Sequence, residues 1–390
     1  MNRRTWLSLT TASLAATTAS LKALAKEFPG DMAPRGVIGK LERLPWRDLE
    51  SNEDFLTSYR TWVQGEIWRA ADRRAVEMFK SQGIDPQAEV PMADAVKLLE
   101  ADPVIAMSAH AWLRGQELMW RNMVEEFHGN ADQYLTEMAA ADKTGPGTLE
   151  LKPKMFIPDY AKHEIHMQPG GYVGDEFAGH IYYYGTHNFY TGANYQDETH
   201  AGFASRVATP ADGKIKRILE LGCGTGQMAI ALKERFPDAE VWALDVGGPM
   251  VRFAHMHAVD CGANVNFVQG LAEDTQFPDG HFDIVTSYIL HHEIPAEISR
   301  RVFREAHRLV RPGGIYFPID TYARRPIGRR TARGLFSLWW IHRWNQEVWT
   351  IEYSNLDSAA AMRDAGFDVN EQGPGAWPGY KYNLLGAKKA

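Results

Sequence analysis

The segment Ile218-Leu219-Glu220-Leu221-Gly222-Cys223-Gly224-Thr225-Gly226-Gln227 constrains this chain more than any other. An apolar run carrying one acid leads straight into three glycines separated by single residues. That reads as a buried strand entering a turn too tight for side chains, where a ligand can lie against the backbone. A dinucleotide fingerprint requires G-x-G-x-x-G, but Gln227 occupies the third glycine position and Gly226 comes one residue early. A phosphate-cradling P-loop requires Gly-Lys-Ser/Thr after the loop, and no such Lys follows. Glu220, just ahead of the turn, suits a ligand with a cationic amine rather than phosphates.

The residues that follow keep the rhythm of a doubly wound parallel sheet, which needs a helix, a second strand and a closing acid about 20 residues on. A helix is expected over Met228 to Phe236 and a strand over Val241 to Leu244, closed by Asp245 nineteen residues past Gly226. A helix around Met250 to Val259, a strand at Val265 to Val268 and a fourth strand at Asp283 to Tyr288 come next.

The glycine loop resembles motif I of class I S-adenosylmethionine-dependent methyltransferases, E/D-x-G-x-G-x-G. Gln269-Gly270-Leu271-Ala272-Glu273-Asp274 with Phe277-Pro278-Asp279-Gly280-His281-Phe282-Asp283 is similar to the family's adenine-facing segment. Leu309-Val310-Arg311-Pro312-Gly313-Gly314 is similar to its turn before strand five. The resemblance covers roughly Lys214 to Asp320 plus a closing strand near Tyr382 to Gly386, and is nearest the branch that includes quinone and lipid-precursor methyltransferases. It implies an α/β fold: a Rossmann-like seven-stranded methyltransferase sheet with a helical N-terminal addition and a helical insertion after strand five. It also implies S-adenosyl-L-methionine as cofactor. Glu220, Gly222, Cys223, Gly224, Thr225, Gly226 and Gln227 would cradle its methionyl part, Asp245 with Val246 its ribose, and Leu271, Ala272 and Tyr288 would border the rest. Leu271 stands where the family often carries Asp, leaving the Ala272 amide to face the adenine. Base-methylating relatives resemble D/N-P-P-Y/F after strand four; Ser287-Tyr288-Ile289-Leu290 does not.

At 390 residues the chain has room for two domains or one with large additions, and its net charge of −7 offers no general attraction for nucleic acid. Two cysteines, Cys223 and Cys261, make no disulfide framework. The start is acid-free through Ala25 and runs Arg3-Arg4-Thr5-Trp6-Leu7, a mildly apolar stretch, then Ala23-Leu24-Ala25. Residues 1–25 resemble a twin-arginine signal peptide. Export to the periplasm is the expectation, with a cytoplasmic protein keeping its N-terminus as the alternative. Export conflicts with a cofactor made inside the cell, so a binding or scaffold protein retaining the fold without turnover is the rival to an enzyme.

Three regions follow: residues 26–145, mostly helical; a Tyr/His/Gly-rich connecting segment, 146–212; and the methyltransferase core, 213–390, with an insertion at 322–352. Thr144 to Thr148 reads as the linker. In the connecting segment, Tyr172, His187 and Tyr190 are candidates to touch substrate, against ordinary aromatic packing. His163 and His166 have i,i+3 spacing, but no third ligand follows and Pro169-Gly170-Gly171 marks a loop, so no metal is expected. The insertion carries Arg324, Arg325, Arg329, Arg330 and Arg333 ahead of Trp339, Trp340 and Trp344. Trp339 and Trp340 are substrate candidates, and 324–344 fits either peripheral membrane contact or a cap helix with a solvated basic face.

Methyl transfer is an in-line displacement in which the protein mainly aligns donor and acceptor. A hydroxyl acceptor calls for a base, and His291 and His292, followed by Glu293, stand at the carboxyl end of strand four, where ligands of open α/β sheets bind. Packing or cofactor positioning is the alternative for this pair. The acceptor expected is a small, aromatic or apolar molecule.

Overall fold

The computed structural model describes residues 47–321, 331–370 and 382–390. The expected signal at 1–25 and the arginines at 324–330 lie outside them. One sheet organises the chain. Its strands are β1 (Thr148–Glu150), β2 (Arg217–Leu221), β3 (Glu240–Asp245), β4 (Val265–Gln269), β5 (Phe282–Tyr288), β6 (Val310–Asp320), β7 (Asp368–Asn370), β8 (Tyr382–Asn383) and β9 (Leu385–Ala387). The order is β1-β4-β3-β2-β5-β6-β9-β7, with β8 also on β6. Strands β1 to β6 pair in parallel, and β7, β8 and β9 pair antiparallel. This is the Rossmann-like methyltransferase order, with two departures from seven strands. The connecting segment adds β1 at the edge beside β4, and the closing strand is split into β8 and β9. The Arg311-Pro312-Gly313-Gly314 stretch, expected as a turn, lies within β6, where the β5 pairing shifts register.

Strand direction fixes where a ligand can sit. The chain reverses sheet order after β4, so β2 and β5 are neighbours whose connections leave in opposite directions, opening a crevice at their carboxyl ends. The central strands are largely apolar and buried because both faces are covered. Ile218, Val241, Phe267 and Ile284 pack against α8 (Gln227–Arg235) and α9 (Gly248–Asp260). Leu219, Leu221, Val285 and Tyr316 pack under α10 (Ala296–Leu309) and α13 (Ser358–Asp364).

The N-terminal region is helical as its periodicity requires: α1 (Arg47–Trp62), α2 (Trp68–Ser81), α3 (Met92–Leu99), α4 (Pro103–Gly129) and α5 (Ala131–Ala141). Asp102 starts α4 by accepting from the Val104 and Ile105 amides at 3.0 and 3.2 Å, with Pro103 as the first helical residue. The connecting segment then contributes α6 (Ala178–Gly185) and α7 (Glu198–Ala204), with α6 packed against α4 and against Phe253 of α9. The insertion contributes α11 (Ala332–Trp344) and α12 (Thr350–Asn355). The apolar side of α11 is buried against α2, α3 and α4. Among the described residues no helix is long and apolar enough to cross a membrane.

Candidate functional site

A cavity of about 110 Å³ opens at the carboxyl ends of β2, β3 and β5. The sheet supplies its floor: Glu220 in β2 with Gly222, Cys223, Gly224, Thr225 and Gln227 beyond it, Asp245 at the end of β3 with Val246, and Tyr288 at the end of β5 with Ile289 and Leu290. The connecting segment closes over it with Tyr160, Ile165, Tyr172, Tyr182 and His200.

The loop is built around its glycines and one acid. Gly222 has φ +69°, and a Cβ there would meet Leu290 Cδ1 at 2.7 Å. Gly226 has φ +80°, and its Cβ would meet Ala254 Cβ at 2.9 Å and the Phe267 ring at 3.0 Å. The first glycine therefore lets the loop lie against the turn after β5, and the last lets α8 start against α9 and the sheet. Asp245 holds the loop from the side: Oδ2 accepts from the Gly224 amide at 2.9 Å and Oδ1 from the Gly247 amide at 2.8 Å.

Gln227, the residue that breaks a dinucleotide fingerprint, is a tether. Its Nε2 donates to Asp197 Oδ1 at 2.5 Å, and Asp197 Oδ2 faces His257 Nε2 at 3.4 Å. Burial opposes a charge on His257, but the Asp197 carboxylate prevails and lifts it to about 10. Loop, connecting segment and α9 are thus joined through one buried ion pair.

Glu220 is 1% exposed, and its Oε2 has no hydrogen-bond partner. Burial, reinforced by the nearby Asp245 charge, holds its carboxyl well above the usual range. Burial raises Asp245 as well, against three backbone amides that lower it. These two carboxyls, with Glu293, face one cavity lined by no Lys or Arg. Such a site repels phosphates and carboxylate-only ligands and favours a ligand bringing positive charge and hydroxyl donors. An ammonium fits the orphaned Glu220 oxygen and ribose hydroxyls fit the unused lone pairs of Asp245, so the donor set suits S-adenosylmethionine.

The other expected site residues are distributed unevenly. Gly226, Leu271 and Ala272 do not line the cavity; Gly226 is used in packing, Leu271 bridges to Asp274, and Ala272 packs against the α10 side of the core. Tyr172 lines it and meets Tyr182 edge-on at 5.4 Å between ring centres. Tyr190 is one shell back, hydrogen-bonded to Tyr288, which lines the cavity. His187 is buried edge-on against Tyr183, 5.1 Å away. Trp339 and Trp340 belong to the α2–α3–α4–α11 cluster.

His291 and His292 lie behind the cavity wall. The His291 amide donates to Asp320 Oδ2 at 2.7 Å and its Nε2 meets the Tyr316 hydroxyl at 2.7 Å. Burial pushes this imidazole down to about 4. His292 is clamped between Asp320 (2.5 Å) and Glu293 (3.4 Å), and these carboxylates, against the cost of burial, hold its protonated form well above the ordinary range. Neither imidazole lines the cavity, so neither faces a ligand held there. The residue of this group that lines the cavity is Glu293.

His163 and His166 do not converge. His163 packs edge-on to Trp349, 6.2 Å away. His166 adopts left-handed backbone angles (φ 54°), and its ring nitrogens face two acids: Nε2 to Glu293 Oε1 at 3.3 Å and Nδ1 to Glu347 Oε1 at 3.2 Å. Despite burial these carboxylates raise it to about 9, so it is an imidazolium. No periodicity marks it; the unusual density of His, Gly and Tyr in this segment was the available signal.

Residues 218–314 match the family model described as a methyltransferase domain. A demethylmenaquinone methyltransferase of Thermus thermophilus is 40% identical over 100 residues, 25% of this chain and 44% of its own. A ubiquinone biosynthesis O-methyltransferase of Pseudomonas aeruginosa is 35% identical over 112 residues, 28% of this chain and 46% of its own. A fatty-acid O-methyltransferase of Mycolicibacterium smegmatis is 37% identical over 123 residues, 31% of this chain and 43% of its own. The chain thus spans less than half the length of these relatives. Among solved structures, an O-methyltransferase family protein from Burkholderia thailandensis aligns with TM-score 0.40 and 20% identity, over 53% of this chain and 60% of its own. The class the sheet and the matched segment define is a Rossmann-like α/β methyltransferase fold. Around it, this chain carries a helical N-terminal region and a tyrosine-bearing segment that closes the cavity.

Proposed function

We propose that this protein is an S-adenosylmethionine-dependent methyltransferase acting on a small, aromatic or apolar acceptor. The observation that carries the reading is the pairing of Glu220 and Asp245 on one cavity lined by no Lys or Arg, beside a loop whose backbone is exposed by glycine. Glu220 would take the ammonium and Asp245 the ribose hydroxyls, while Gly222 and Gly224 leave the backbone bare to the methionyl chain. The cofactor supplies an electrophilic methyl on a good leaving group, so the chain's task is alignment and exclusion of water. Tyr172, Tyr182 and Tyr288 serve that task by walling the acceptor side with large, stiff rings. Calorimetric titration of the full chain with S-adenosylmethionine and S-adenosylhomocysteine tests the reading. Saturable binding of both supports it, and absence of binding by either overturns it.

A further inference from the structure

Glu293 sits in the middle of a chain of alternating charges that runs Asp320, His292, Glu293, His166, Glu347, with successive contacts of 2.5, 3.4, 3.3 and 3.2 Å. The five residues come from β6, from the turn after β5, from the connecting segment and from the stretch after α11. Both imidazoles reach the same oxygen of Glu293, Oε1. The side chain is 12% exposed and lines the cavity. A carboxylate approached most closely at one oxygen by two imidazoles is held in place, and its second oxygen, Oε2, adds acceptor capacity at the cavity wall.

Its position is on the acceptor side. The turn carrying it touches the cofactor loop, since Leu290 fills the space a Cβ on Gly222 would need. Tyr172 and Tyr182 line the same cavity as Asp245 and Glu293. The imidazole on the wall, His200, is engaged with Asn194 at 3.3 Å.

We propose that Glu293 Oε2 receives the hydrogen of the methyl acceptor, and that the acceptor carries an O–H or N–H on its accepting atom and no negative charge. This rests on the methyltransferase reading. In the transfer, the carbon–sulfur bond breaks with its electron pair left on sulfur, and the acceptor's lone pair forms the new bond to carbon. Positive charge therefore moves onto the acceptor atom, beside a carboxylate already fixed to stabilise it. A methylated hydroxyl then releases its proton to Oε2 and on to water, because a protonated ether is a far stronger acid than a carboxyl group. A methylated aromatic amine, a weak base, passes its proton the same way.

The test uses the full chain saturated with S-adenosylhomocysteine and three probes sharing one ring: phenol, aniline and benzoate, followed by ligand-observed NMR. Phenol or aniline should bind and benzoate should not; tighter phenol assigns an O–H acceptor, tighter aniline an N–H one. Glu293→Gln should weaken the preferred probe about tenfold or more while S-adenosylhomocysteine affinity stays the same. Benzoate binding as tightly as the other two, no binding of phenol or aniline, or an unchanged affinity in the variant overturns the proposal while leaving the methyltransferase reading in place. If the variant loses its cofactor affinity, the ranking in the unmodified protein decides. Failure of S-adenosylhomocysteine to bind the unmodified protein overturns the methyltransferase reading itself.

Discussion

Asp245 Oδ2 accepts the Gly224 amide at 2.9 Å, so the acid at the end of β3 and the middle glycine of the loop after β2 form one unit. Part of the carboxylate is spent on holding the loop open, and the remaining lone pairs are pre-aimed at the cavity. Asp245→Ala removes both functions. Cofactor affinity should fall by roughly ten- to a hundredfold, the worth of one or two hydrogen bonds to a charged group. Calorimetry with S-adenosylhomocysteine measures it, and unchanged affinity refutes the role given to Asp245.

Glu220 should show a conflict between stability and binding. Its carboxyl is raised far above the ordinary 4.5 by burial and by Asp245. A raised acid favours the folded state below its unfolded value, and that contribution disappears as pH climbs through the folded one. The cofactor-free Glu220→Gln variant should therefore melt higher than the parent above pH 4.5, with the gap widening as pH rises. The same variant should bind cofactor more weakly, and the parent's affinity should drop as pH falls and Glu220 takes up its proton. Melting curves and titrations across pH check both halves.

The His257–Asp197 pair predicts a separate pH window. With His257 raised from 6.5 to about 10, its contribution is complete below pH 6.5 and is lost as pH approaches 10. His257→Gln should be less stable than the parent near neutrality by roughly 2–4 kcal/mol, and the difference should shrink toward pH 10. Urea unfolding at a series of pH values reads this directly; a constant difference contradicts it.

Gly226→Ala places a methyl 2.9 Å from Ala254 Cβ on a backbone of φ +80°. Overpacking and left-handed strain together should cost about 2–4 kcal/mol, seen as a lower urea midpoint with an unchanged slope. A neutral result removes the packing role assigned to this glycine.

Much of the cofactor side was legible because its signals are local. The strand, the three glycines, Glu220 and Asp245 obey short-range rules of turn geometry and strand length, and each stands where its spacing implied. The acceptor side was not. Tyr182, Tyr183 and Tyr184 are consecutive, yet successive helical residues point about 100° apart. Tyr182 faces the cavity, Tyr183 meets Phe253 at 5.2 Å, and Tyr184 meets Phe127 at 5.4 Å. His291 and His292 looked like the reactive members of their triplet, but Asp320 and Tyr316 on β6 capture them and leave Glu293 at the wall.

The amino-acid sequence alone determined the sheet's parallel core and the kind of ligand its glycine loop accommodates, because strand, turn and closing acid lie within some thirty residues of one another. Only the tertiary structure decided which acid faces the acceptor. Glu293 is held there by His166 and His292, and His166 reaches it from the connecting segment, which precedes the cofactor core in the chain.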